Sequence, residues 1–69
     1  MEGDRLQIYL REKRLERGMS MKELAKRSGV SKGTISKIEN KEMIPGLKVI
    51  ARLCLAMKLE LNELVDIHK

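Results

Sequence analysis

The 69-residue chain predicts an all-α protein, a compact bundle of about five short helices. Three observations lead there. Apolar residues recur three and four positions apart through most of the chain, the spacing that lines one face of a helix. Helix starts and stops punctuate these stretches at regular intervals, with Ser20 and Ser31 as N-caps and Gly18 and Gly29 as C-caps. No internal repeat, low-complexity segment or linker separates them, so residues 1–69 are expected to form a single domain.

The first helix is expected to start at Asp4, with Gln7 in the reciprocal capping position and Leu6, Tyr9 and Leu10 on one stripe, and to end at Gly18. Ser20 followed three positions later by Glu23 is a capping box, in which each side chain accepts from the other residue's unpaired backbone N–H. A second helix therefore begins near Met21. Leu24 and Ala25 give it an apolar face, Lys22, Lys26 and Arg27 a wet one, and Gly29 can take the left-handed turn that ends it near Ser28.

Val30 fills the space under the turn, and Ser31 caps a third helix over residues 32 to 40. Ile35 and Ile38 point inward with Val30, which leaves Lys32, Gly33, Ser36, Lys37 and Asn40 outside. After a loop at residues 41 to 45, a fourth helix from Gly46 uses Leu47, Ile50, Ala51, Leu53, Cys54 and Met57 as a broad apolar face. A last short helix, LNELVDI, has Asn62 and Glu63 at its start. Its Leu61, Leu64, Val65 and Ile67 exceed what docking a terminal helix requires, so residues 59–67 are the candidate surface for a homodimer.

Residues 20 to 40 thus hold two short helices either side of a tight turn, the second basic and polar outside, which is how a chain places a helix in the major groove of DNA. The charge agrees. The chain carries 15 Lys+Arg against 10 Asp+Glu, and residues 1 to 41 hold 11 basic and 6 acidic side chains while residues 42 to 69 hold 4 of each. A merely solvated basic surface would have the same totals, but here the excess coincides with the reading helix. Tyr9 is the only aromatic residue, too few to stack the bases of single strands, and no GxxG clamp for RNA is present, so duplex DNA is the expected partner.

Other classes lose support. Cys54 stands alone, which excludes an internal disulfide and a cysteine-pair zinc site, and its place in an apolar pattern reads as core. His68 has no second ligand nearby in sequence and reads as a surface residue. Ser, Cys and His make no recognisable nucleophile–base spacing, so no enzyme, no metal and no cofactor are expected. The five methionines read as ordinary packing, with Met19 and Met21 beside a turn, Met57 in the core and Met43 in a loop. No run approaches the ~20 apolar residues of a membrane span, and the N-terminal segment lacks a signal-peptide core, so the expected location is the cytoplasm. A domain of this size buries only about 60% of its unfolded surface, and a second subunit would add stability.

From LREKR at 10 to 14, SMKELAKRSGVSKGTISKIEN at 20 to 40, Pro45 and LELNELV at 59 to 65, the chain resembles the lambda-repressor-like helix-turn-helix domains of Cro/C1 (XRE) regulators. The resemblance runs from Leu6 to Val65. It implies base contacts from Lys32, Gly33, Ser36 and Lys37, and phosphate contacts from Ser20, Met21, Lys22, Ser31, Thr34, Asn40 and Lys41. It also implies a structural ion pair between Arg14 and Glu39. Met21 stands where the family commonly has Gln, and Gly33 where a side chain usually reaches a base. Gly33 then reads either as drift on an exposed turn or as a place where backbone comes close to DNA. The implied function is a homodimeric transcriptional regulator, a repressor by steric block. The alternative is an antitoxin or other interaction module on the same fold, supported by the apolar C-terminal segment; the retained lysines of the third helix favour DNA.

Overall fold

A computed structural model describes residues 5–68. Five helices follow in order: α1 (Leu10–Glu16), α2 (Met21–Ser28), α3 (Lys32–Glu39), α4 (Leu47–Met57) and α5 (Leu61–Leu64). They enclose one apolar core. Leu10 from α1, Leu24 from α2, Ile35 from α3, Leu53 and Met57 from α4 and Leu64 from α5 are its fully buried centre, with Val30 and Ile38 packed beside them. Gly18 and Gly29, with φ of 65° and 75°, take the left-handed turns that stop α1 and α2.

Two strands that the helical reading missed lie at the ends of the bundle. β1 (Arg5–Ile8) and β2 (Val65–His68) pair antiparallel, with Leu6 opposite Ile67 and Ile8 opposite Val65. Tyr9 N–H donates to the Leu64 carbonyl at 2.8 Å and extends the ladder. The reason is periodicity: Leu6 and Ile8 alternate, as do Val65 and Ile67, and two such segments make one apolar face when paired. The stripe drawn through Leu6, Tyr9 and Leu10 therefore breaks, because Leu6 is in the strand, Tyr9 is the N-cap and Leu10 opens α1. Gln7 lies in β1, and the expected cap at Asp4 falls outside the described residues. The last helix likewise stops at Leu64 and not at Ile67.

Three smaller corrections concern helix faces and caps. Leu47, at 80% exposure, and Ala51 point to solvent, so the buried face of α4 is the narrower set Ile50, Leu53, Cys54 and Met57. At α2 only half of the capping box forms: Ser20 Oγ accepts from Glu23 N–H at 3.0 Å, while the Glu23 carboxylate accepts from Arg27 Nη2 at 2.9 Å. A reciprocal box forms instead at α5, where Glu60 and Glu63 each accept from the other's backbone.

Candidate nucleic-acid interface

The seating of α3 follows from its two ends and its inner face. Ser31 has extended backbone, and its Oγ accepts from Thr34 N–H at 3.1 Å while lying 2.9 Å from Thr34 Oγ1. Both hydroxyls hold the helix start, at the surface, where the first N–H groups need partners. At the other end Lys41 N–H donates to the Ile38 carbonyl at 3.1 Å and Glu42 N–H to the Lys37 carbonyl at 2.8 Å, a left-handed stop with φ of 61° at Lys41. Ile35 and Ile38 are buried and fix the rotation of α3 about its axis.

That rotation sets what faces outward. Lys32, Gly33, Lys37, Asn40 and Lys41 are exposed, and Ser36 and Thr34 are half-buried between them. Asn40 Nδ2 reaches Ser36 Oγ only at 3.4 Å, a contact weak enough to be exchanged for another partner. On α2, Ser20 and Lys22 are exposed, whereas Met21 is half-buried against the core and offers its backbone more than its side chain. Among the described residues Lys22, Lys32, Lys37 and Lys41 form no ion pair; the four ion pairs belong to Lys13, Arg14, Arg17 and Arg27. The outer face of α3 therefore presents uncompensated positive charge.

The one acidic side chain of α3 is turned inward. Glu39 accepts from Arg14 Nε at 2.8 Å and from Arg14 Nη2 at 3.0 Å, and Arg14 Nη1 donates to the Met19 carbonyl at 2.8 Å. The two side chains are only 9% and 2% exposed. This fork ties α1 and the α1–α2 turn to the end of α3. The hydrogen bond to Glu39 pushes the already high pKa of Arg14 upward against the opposing effect of burial, so the guanidinium stays charged.

The candidate dimer residues separate. Leu64 is completely buried, so it fastens α5 to the core and is withdrawn as a surface residue. Leu61 and Ile67 are exposed at 54% and 70%, with Val65 half-buried between them. Sequence reasoning missed their neighbours: Leu6, Ile44 and Leu47 line the same apolar groove, together with Pro45. The alternation of Leu6 with Ile8 was the signal for the first of these; Ile44 carried no periodic signal, and the period of α4 assigned Leu47 to the buried face and not to a groove. Cys54 is buried, and burial, followed by the charges of Glu60 and Glu63, pushes its thiol pKa up. Among the described residues no group of His, Cys, Asp and Glu is placed to hold a metal, and no helix is long and apolar enough to cross a membrane.

A short capped helix held at a fixed rotation behind α2, with unpaired lysines outward, defines a helix-turn-helix DNA-binding protein of the transcriptional-regulator class. The chain belongs to the XRE-type helix-turn-helix family, whose model matches residues 10–64. It is similar to the ImmF control region 10 kDa protein of Bacillus phage phi105, with 33% identity over 64 residues that make up 93% of this chain and 71% of that one. Its fold is similar to that of the transcriptional regulator VanUg, with a TM-score of 0.75 and 25% identity over 97% of this chain and 89% of that one.

Proposed function

We propose that the protein is an operator-binding repressor of the cytoplasm that inserts α3 into the major groove as a homodimer. The observation that carries this reading is the outer face of α3, where Lys32 and Lys37 form no ion pair among the described residues, on a helix locked in rotation by Ile35, Ile38 and the Arg14–Glu39 fork. Lys32 and Lys37 are suited to guanine O6 and N7, with Ser36 beside them, and each such contact discriminates by about 1 to 3 kcal/mol. Ser20, Lys22, Asn40, Lys41 and the Met21 backbone hold phosphates on either side, with Ser31 and Thr34 at the helix start. No catalytic role is assigned to any of them.

Homodimerisation is supported by the apolar groove of Leu6, Ile44, Leu47, Leu61 and Ile67, which no other described residue covers. Two copies would address half-sites whose centres lie about 34 Å apart, one turn of the duplex. The same groove also favours the second reading, an interaction module such as an antitoxin, in which a different protein covers it. Selection of bound duplex fragments by the purified protein at ~0.1 M salt, followed by salt titration, separates the two. An inverted repeat with affinity falling steeply in salt supports the repressor. Weak binding without sequence preference moves the search to protein partners.

A further inference from the structure

The ribbon has two open sides, because no third strand flanks β1 or β2 among the described residues. The bond from Tyr9 N–H to the Leu64 carbonyl sets which backbone groups point to them. Antiparallel pairs alternate between hydrogen-bonded and not, so Gln7 and Asp66 bond across the ribbon through their backbones, while Leu6, Ile8, Val65 and Ile67 turn their backbone groups outward. The Val65 N–H is taken by the Leu61 carbonyl. The Val65 carbonyl and both groups of Ile67 then line the outer edge of β2, with no backbone partner among the described residues.

That edge is the accessible one. Beside β1 lies a cavity of about 220 Å³ whose far wall, Ile38, Lys41, Met43 and Ile44, stands where an added strand would run. Beside β2 lies one of about 580 Å³, lined otherwise only by Glu60, Leu61 and Asn62. Proteins guard such edges with proline, lysine or a bulge, and β2 has none of the three in its four paired residues. Instead its exposed Ile67, with Leu61 next to it, adds apolar surface to the unpaired backbone.

We propose that β2 pairs antiparallel with the β2 of a second copy, Ile67 N–H of each donating to an outward carbonyl of the other, so that the two ribbons form one four-stranded sheet. This deepens the homodimer reading above and rests on it. Two features select a second copy as the occupant. The basic excess sits in residues 1 to 41, whereas residues 42 to 69 carry 4 bases and 4 acids, and no base lines the β2 cavity, so two positive molecules meet there with least repulsion. A two-fold contact of identical strands also consumes both edges and closes at two copies.

Sedimentation of wild type over a concentration series comes first, then amide hydrogen exchange where dimer and where monomer prevails. The Ile67 amide should exchange about tenfold more slowly in the dimer, while the Leu6 amide on the other edge keeps its monomer rate. Ile67→Pro removes the outward N–H but no bond to β1, and should weaken dimerisation about a hundredfold more than Ile67→Val, which keeps the N–H. If Ile67→Pro loses its helical circular dichroism, exchange in wild type alone decides. A dimer whose Ile67 amide keeps the monomer rate, or whose Leu6 amide slows instead, overturns the proposal and leaves the homodimer reading standing. So does a folded Ile67→Pro dimer as tight as that of Ile67→Val. Wild type that stays monomeric at every concentration defeats the homodimer reading itself and leaves the edge to a foreign strand.

Discussion

Arg14 and Glu39, 25 residues apart, meet in a two-pronged hydrogen-bonded ion pair from which solvent is almost excluded, and the third donor of Arg14 is spent on the Met19 carbonyl. The pair fixes how the end of α3 sits against α1. Its energetic worth lies in completeness: two buried charges satisfy each other, and either alone would be stranded.

Glu39→Ala should therefore destabilise the protein by about 3 to 5 kcal/mol, because it leaves a buried guanidinium without its carboxylate. Replacing both, as Arg14→Met with Glu39→Leu, should cost clearly less than the sum of the single changes. Urea unfolding of the two single variants and the double variant measures this. Additive losses would show that the fork contributes nothing as a pair.

Lys37 and Lys41 should separate by the kind of binding they lose. Lys37→Ala is expected to relax base preference at one position in each half-site, while Lys41→Ala weakens all sequences alike and lowers the salt slope by about one unit. Binding-site selection repeated with each variant, and titration at several salt concentrations, distinguishes them. Equal effects from both changes would refute the division into base and phosphate contacts.

Leu64 and Ile67 offer a parallel contrast at the other end of the chain. Leu64→Ala removes a fully buried side chain and should cost about 2 to 5 kcal/mol of stability. Ile67→Glu, at a position 70% exposed, should leave helical content intact, shift sedimentation to the monomer and weaken operator binding. A dimer of unchanged stability in Ile67→Glu would place the homodimer contact elsewhere.

Cys54 gives stability a dependence on alkaline pH. Burial raises its folded thiol pKa, so the unfolded thiol ionises first, near its ordinary value of about 8.5. The unfolded state then binds fewer protons, and stability is lost as pH rises through that range. Unfolding free energy should fall more between pH 7.5 and pH 9.5 for wild type than for Cys54→Ala, by urea titration at ~25 °C. Parallel pH profiles would rule out the thiol as the source.

The middle of the fold was legible because local chemistry decides it. Ser31 and Gly29 fix where α3 starts and α2 stops, and both do so through hydrogen bonds to their own neighbours in sequence. The ends were not, because their structure depends on each other. Leu6 and Leu10 fit a helical stripe as well as Leu6 and Ile8 fit a strand, and only the distant partner segment at Val65 and Ile67 resolves the ambiguity. The candidate interface divides in the same way. Lys32 and Lys37 were visible from the period of α3, whereas Ile44 had no period and Leu47 was read as core of α4, and the two join one outer groove only when β1 and β2 close beside them.

The ribbon of β1 and β2 also has a kinetic meaning. It joins segments separated by nearly the whole chain, so its closure carries the largest loop entropy of any contact among the described residues, while each helix forms from near neighbours. It should be the last element to zip and the first to unzip. Hydrogen exchange would then find the Tyr9 amide opening well before those of α3, and the groove lined by Leu6 and Ile67 would be rebuilt at every closure. A second subunit seated there would act as a latch, drawing the last step of folding into the act of assembly.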